Sequence, residues 1–131
     1  MGTTERPSAA VAHIERQDGK MLVVWNKRYG RWAMPGGKVE DGESPIDACL
    51  REVSEETGAE AIVEFLIYDG AHGESVESTR GSWVYVYECR LSIMSTPRET
   101  EPGCPVTWFT REEFLRWGLA PAFYEKVFDA L

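Results

Sequence analysis

Three glutamates, Glu52, Glu55 and Glu56, lie close together in the run Arg-Glu-Val-Ser-Glu-Glu-Thr-Gly, and their spacing could hold a metal ion. At about 100° per residue, a helix would crowd these carboxylates onto adjacent faces near its C-terminal end. The carboxylates of a bare helix would repel one another and meet the negative end of the helix dipole. A divalent cation such as Mg²⁺ would reverse this repulsion, because it prefers oxygen ligands and can bridge to phosphates. An ordinary solvated acidic face is the alternative.

The flanking residues predict the helix that carries these acids. Ser44 can cap the free amides, and Pro45 suits the first helical position, where no amide is needed. Gly58 can enter the left-handed conformation that ends a helix. Between these limits, the helical period predicts one buried apolar face made of Ile46, Cys49, Leu50 and Val53.

A glycine-rich segment precedes the helix and is predicted to form a turn close to the substrate. Gly36 and Gly37 have no side chains, so the backbone can turn tightly there and approach phosphates. Lys38 follows them and is either a phosphate contact or a solvated loop charge. The same two alternatives apply to a basic loop before the glycines, which contains Lys27, Arg28 and Arg31.

Eight positions of this region follow one pattern: a glycine, a glutamate, and then Arg-Glu-apolar-x-Glu-Glu-x-Gly. They are Gly37, Glu43, Arg51, Glu52, Val53, Glu55, Glu56 and Gly58. The pattern resembles the Nudix box, which extends to Ala59, where the family usually has a larger aliphatic residue. That departure affects a packing contact and leaves the chemistry unchanged. The resemblance implies an α/β fold, namely an α/β/α sandwich with a mixed β-sheet and the box helix packed against it.

The resemblance also implies roles for the box residues. Glu52 and Glu56 are expected to bind the metal, and Glu55 is expected to be either a further ligand or the general base. The expected cofactor is Mg²⁺, with Mn²⁺ as an alternative. Arg51 is expected to orient a carboxylate through a charge-assisted contact. Glu43 is expected to assist the catalytic group.

Further candidates lie downstream of the box. Some MutT-like relatives recruit another acid from the loop before the last strand, which favours Glu101 over Glu99 as an additional metal ligand. His72 is either a base or a base-recognising group, or simply an exposed loop histidine. Three aromatic residues could stack on a nucleobase or instead pack against the sheet: Trp83, Tyr85 and Tyr87.

The expected activity is metal-dependent hydrolysis of a diphosphate linkage in a nucleoside diphosphate derivative. ADP-ribose-hydrolysing relatives tend to have a proline downstream of the box, and none occurs here between Pro45 and Pro97. Dinucleoside-polyphosphate relatives often have a tyrosine there, and none occurs between Tyr68 and Tyr85. These absences favour a MutT-like nucleoside triphosphate pyrophosphohydrolase. The alternatives are an ADP-ribose or nucleotide-sugar pyrophosphatase and a non-catalytic nucleotide-binding sensor, which the intact box acids disfavour.

Strands and further helices must position these residues. Residues 8–25 predict an opening hairpin that turns at Asp18 and Gly19. Thr110 is predicted to cap one helix, with Glu113 completing a capping box, and a second helix is predicted from Pro121. Other strands are predicted within the segments 32–35, 61–68, 83–87 and 106–109. This order of elements indicates a mixed sheet with helices packed on it.

Composition limits the kinds of protein that the chain can be. Its 131 residues fit a single domain, 1–131, and the net charge of -8 disfavours binding to nucleic acid polymers. A small nucleotide remains an acceptable substrate, because a metal can join its phosphates to an acidic site. The sequence shows no membrane span or signal peptide, so we expect a cytoplasmic protein. Three cysteines without metal-ligand spacing predict free thiols, and a homodimer is compatible with the family resemblance.

Overall fold

A computed structural model describes residues 7–71 and 83–131, which form strands and helices in a mixed order. The strands are β1 (Ser8–Ile14), β2 (Met21–Asn26), β3 (Arg31–Ala33), β4 (Gly36–Lys38), β5 (Ala61–Ala71), β6 (Trp83–Leu91) and β7 (Val106–Phe109). The helices are α1 (Pro45–Thr57), α2 (Arg111–Trp117) and α3 (Pro121–Asp129). The helix α1 is the predicted box helix.

The strands form two sheets, with the orders β4-β1-β6-β5 and β3-β2-β7. The sheet that contains β1 is mixed, because β1 runs parallel to β6 and antiparallel to β4. Alternate residues of β1 enter two separate core clusters: Ala10 and Ala12 pack with α1, whereas Val11 packs with α2 and α3. Helices therefore cover both faces, which confirms the predicted α/β/α sandwich.

The opening segment differs from a simple hairpin. The turn at Asp18 and Gly19 is present, and Gly19 has a positive φ of 84°. Beyond the turn, however, β1 and β2 form no ladder with each other, and the described contacts at its base are an isolated bridge between Glu15 and Met21 and a 2.9 Å hydrogen bond from the Arg16 amide to the Lys20 carbonyl. Both edges of β1 are already paired with β4 and β6, and both edges of β2 with β3 and β7. The two strands consequently diverge into different sheets.

The glycine-rich segment is an extended strand, so the predicted tight turn at Gly36 and Gly37 is wrong. These two residues form β4 with Lys38 and pair with β1 in an antiparallel register. A side chain at Gly36 would place its Cβ only 2.5 Å from the carbonyl oxygen of Ala10. Glycine is needed at position 36 because two backbones approach each other closely, with no positive φ involved.

Both predicted limits of α1 are confirmed. The side chain of Ser44 accepts a hydrogen bond from the Asp47 amide at 3.0 Å, and Gly58 ends the helix with a φ of 70°. The predicted buried face is correct for Cys49 and Val53, holds only in part for the half-buried Leu50, and is wrong for Ile46, which is 43% exposed. The buried residues of α1 are Ala48, Cys49, Val53 and Thr57. Packing against the sheet thus begins only after the first turn.

The C-terminal elements follow the sequence prediction closely. The side chain of Thr110 accepts a hydrogen bond from the Glu113 amide at 3.1 Å, and the Glu113 side chain accepts one from the Thr110 amide at 2.8 Å. This is the predicted capping box of α2.

The cysteines are free thiols, as expected. Within the described residues, no helix is both long enough and apolar enough to cross a membrane.

Candidate active site

A cavity of about 590 Å³ opens at the C-terminal half of α1, between the β2–β3 turn and the loop before β7. Its wall combines acidic, basic and apolar side chains. The lining residues are Val24, Trp25, Asn26, Lys27, Arg28, Ala33, Met34, Gly36, Glu52, Glu55, Glu56, Thr100, Glu101 and Cys104. All three acids singled out on the box helix therefore face the same space.

Glu56 is the most strongly perturbed carboxyl group of the cavity. Its Oε1 accepts a hydrogen bond from the Gly36 amide at 3.0 Å. Burial, together with the neighbouring Glu52 and Glu55, raises the pKa of Glu56 to about 8, against the opposing effect of the Gly36 amide. A nearby cation would stabilise the ionised carboxylate and lower this pKa.

Glu52 lines the same cavity with only 15% of its side chain exposed. Burial raises its pKa, and the Arg51 guanidinium opposes that effect. A Cβ on Gly37 would overlap the carboxylate of Glu52. The second glycine of β4 thus leaves the space that the Glu52 carboxylate occupies.

Arg51 holds several carboxylates together. Its Nε and Nη2 bind the two oxygens of Glu43 at 2.6 and 3.0 Å, which is a bidentate pair. Its Nη1 donates to Glu52 at 3.1 Å and to Glu55 at 3.2 Å, while Nη2 also donates to the carbonyl of Lys38. The Arg51 pairing lowers the pKa of Glu43. Neither Arg51 nor Glu43 lines the cavity, so their contacts position the acids that do.

The loop before β7 adds a fourth acid to the cavity. Glu101 lines the cavity, whereas the carboxylate of Glu99 accepts a hydrogen bond from the Gly103 amide at 2.9 Å. The adjacent Thr100 hydroxyl donates to the carbonyl of Glu55 at 2.6 Å. This bond fixes the loop to the last turn of α1, next to the box acids.

The predicted substrate-binding residues fall in different places. Gly36 lines the cavity, and Gly37 lies against Glu52. Lys38 and Arg31 are exposed and are not among the lining residues. Lys38 instead contributes its backbone carbonyl to Arg51.

The aromatic residues that lie in the cavity are not the ones considered from the sequence. Tyr85 and Tyr87 pack with the core cluster beside α1, so the packing alternative holds for them. Trp83 does not line the cavity either, and His72 lies outside the described residues. Trp25 does line it, although the sequence indicated only that this residue belongs to a strand. Alternation along β2 puts Trp25 on the same face as Val23, so the period of the strand gave no signal for its place in the cavity.

The donor set suits a divalent metal. No three His, Cys, Asp or Glu side chains among residues 7–71 and 83–131 lie close enough to form a preassembled metal site. In this arrangement Arg51 holds Glu52 and Glu55 in ion pairs. Three carboxylates facing one cavity, with Glu56 perturbed by burial and by its neighbours, nevertheless match the oxygen ligands of Mg²⁺.

The comparison with protein families decides the identity of the chain. The model of the NUDIX domain matches residues 4–131. The chain belongs to the Nudix family. Its Nudix relatives include a MutT-like protein of Streptomyces ambofaciens, which is 31% identical over 118 residues that cover 90% of this chain and 72% of the relative. The CTP pyrophosphohydrolase of Escherichia coli K12 is 32% identical over 116 residues, which cover 86% of this chain and 82% of that protein.

Solved structures of similar proteins share the same architecture. A NUDIX hydrolase from Nitrosomonas europaea superposes with a TM-score of 0.77 at 25% identity, covering 96% of this chain and 88% of the other. The solution structure of the E. coli ORF135 protein gives a TM-score of 0.66 at 28% identity, with coverages of 97% and 89%. The family and these relatives identify this Nudix protein as a hydrolase of phosphorus-containing anhydrides.

Proposed function

We propose that the protein is a MutT-like nucleoside triphosphate pyrophosphohydrolase that requires Mg²⁺, which Mn²⁺ can replace. The observation that carries this proposal is the convergence of Glu52, Glu55 and Glu56 on one cavity that also has basic and aromatic lining residues. An acidic wall suits a metal-bound polyphosphate, and the remaining wall suits a nucleoside. Two relatives with high coverage are a MutT-like protein and a CTP pyrophosphohydrolase, which supports a triphosphate substrate.

Glu52 and Glu56 would hold the metal, and Glu101 would join them from the loop before β7. When bound, the ion would neutralise charge on the phosphoryl oxygens and increase the acidity of a water molecule. Glu56 is suited to this role because its carboxyl group is buried beside other acids. Glu101 is suited because its side chain is exposed toward the same cavity.

Glu55 is the best candidate for the general base among these acids. Its side chain is 60% exposed and is tied to Arg51 by a single 3.2 Å contact, so it can accept a proton from a water molecule and release it to solvent. Glu52 is more enclosed and better suited to remain a fixed ligand. Arg51 and Glu43 act through these carboxylates, because their bidentate pair fixes the orientation of the guanidinium.

A nucleotide panel tests the activity directly. The purified protein would be incubated with nucleoside triphosphates, ADP-ribose and nucleotide sugars, with Mg²⁺, with Mn²⁺ and with EDTA, and the products would be separated by ion-exchange chromatography. We expect nucleoside monophosphate and pyrophosphate from a triphosphate, in the metal-containing samples only. Preferred cleavage of ADP-ribose or a sugar nucleotide would contradict the triphosphate assignment. Tight binding without any turnover would identify a sensor instead of an enzyme.

A further inference from the structure

We propose that Lys27 is a phosphate-binding residue of the active site. Without substrate, Lys27 is paired with Glu101, and it is released when a substrate-bound cation binds that carboxylate. This inference rests on the proposed function and assigns a residue to the recognition of the polyphosphate. Lys27 Nζ lies 3.0 Å from Glu101 Oε2, and both side chains line the cavity. The pair joins the β2–β3 turn to the loop before β7.

The charges of the cavity limit which residue can contact phosphate. Four lining residues are acidic, namely Glu52, Glu55, Glu56 and Glu101, and only Lys27 and Arg28 are basic among the lining residues described. Arg51 does not line the cavity, and its guanidinium is already bound to three carboxylates and a carbonyl. A polyphosphate in this cavity must therefore find its protein cation on the β2–β3 turn.

The turn and the loop are held side by side by their strands. The Trp25 amide donates to the carbonyl of Pro105 at 2.9 Å, where β2 and β7 pair. The side chain of Asn26 accepts a hydrogen bond from the Tyr29 amide at 3.1 Å, which fixes the turn that carries Lys27. The lysine is thus presented at the cavity mouth by a constrained backbone.

The contact between Lys27 and Glu101 can exchange readily. The two side chains are 53% and 62% exposed, and exposed ion pairs contribute little net stability. Lys27 Nζ also donates to the carbonyl of Pro102 at 3.3 Å, a neutral acceptor that a phosphate oxygen would replace. A cation that binds Glu101 would separate this carboxylate from Lys27. The phosphate of the bound substrate would then become the partner of the lysine.

Binding of inorganic triphosphate to the metal-free protein tests this exchange without any turnover. Isothermal titration calorimetry in EDTA would compare the wild type, Glu101→Gln, Lys27→Met and the double variant. Glu101→Gln frees the lysine, so we expect roughly tenfold tighter binding of triphosphate, equal to about 1.4 kcal/mol. The double variant should lose this gain in triphosphate affinity. If the double variant still binds triphosphate more tightly than the wild type, the effect comes only from the removal of one negative charge, and the proposal is overturned.

Steady-state kinetics with a magnesium nucleoside triphosphate provides the second test. We expect Lys27→Met to raise KM by roughly tenfold, Lys27→Arg to restore part of the affinity, and the exposed Lys126→Met on α3 to behave as wild type. An unchanged KM in Lys27→Met would overturn the role of Lys27 and leave the proposed activity intact. If the wild type hydrolyses no nucleotide, the proposed activity fails, and the metal-free titration still decides the role of the lysine.

Discussion

The amide of Gly36 donates a hydrogen bond to Oε1 of Glu56 at 3.0 Å, so the strand β4 fixes a carboxyl group in the last turn of α1. This contact has two consequences. It orients Glu56 toward the cavity, and it provides one of the few groups that stabilise the ionised form of this buried acid.

Replacement of Glu56 by glutamine should abolish turnover while preserving the fold. The glutamine oxygen can still accept the hydrogen bond from Gly36, but it supplies no charge to a divalent ion. We expect kcat to fall by about a thousandfold or more. Steady-state kinetics and circular dichroism would measure activity and fold, with Glu60→Gln as an exposed control just beyond the helix. A near-normal rate at saturating Mg²⁺ would refute the assignment.

The metal-free protein should lose stability as the pH rises. The pKa of Glu56 is about 8 in the folded state, whereas its ordinary value, which applies to the unfolded chain, is 4.5. Between these two pH values the folded state therefore retains a proton that the unfolded chain releases. The resulting stabilisation is complete below pH 4.5 and is lost as the pH rises through 8. We expect Tm in EDTA to fall by roughly 5 °C from pH 5.5 to pH 8.5. Glu56→Gln should flatten this dependence, and a Glu56→Gln profile that parallels the wild type would assign the effect elsewhere.

The two glycines of β4 should respond differently to alanine. At Gly36 the new Cβ would collide with the backbone of β1, so Gly36→Ala should destabilise the fold by roughly 1–3 kcal/mol. At Gly37 it would meet the movable carboxylate of Glu52, so Gly37→Ala should remain folded and lose activity. Urea denaturation and kinetics would be measured for both. Equal losses of stability would contradict the separate roles.

Arg51 should be irreplaceable by lysine. A single ammonium group cannot form the bidentate pair with Glu43 while also binding Glu52 and Glu55. We expect Arg51→Lys to lower kcat by roughly a hundredfold and to change KM little, because the residue acts through the carboxylates and not on the substrate. Initial rates over a range of substrate concentrations at saturating Mg²⁺ would separate kcat from KM. A selective rise in KM with normal kcat would indicate direct substrate contact instead.

Thr100 should hold Glu101 in position for metal binding. Its hydroxyl bond to the carbonyl of Glu55 fixes the loop on α1, and valine has the same shape without the donor. We expect Thr100→Val to raise the Mg²⁺ concentration required for half-maximal activity by roughly tenfold. Thr100→Ser retains the donor and should restore the wild-type value. If valine and serine behave alike, the hydroxyl has no positioning role.

The box helix was predicted from sequence with nearly all of its detail, because its determinants are local. The caps at Ser44 and Gly58 act on amides within a few residues of them, and the spacing of Glu52, Glu55 and Glu56 fixes their common direction. The exception, Ile46, depends on how far the helix extends past the sheet. That limit is set by packing and not by helical periodicity.

The sequence by itself determined the family, the box acids and the helix that presents them. Only the tertiary structure decided what faces those acids. Pairing of β2 with β7 brings Lys27 beside Glu101, and pairing of β4 with β1 turns a presumed glycine loop into a strand. Such contacts depend on strand register, where a shift of one residue reverses the direction of every side chain. No local pattern in the chain encodes that register, so the opposite wall of the active site could be identified only in the folded molecule.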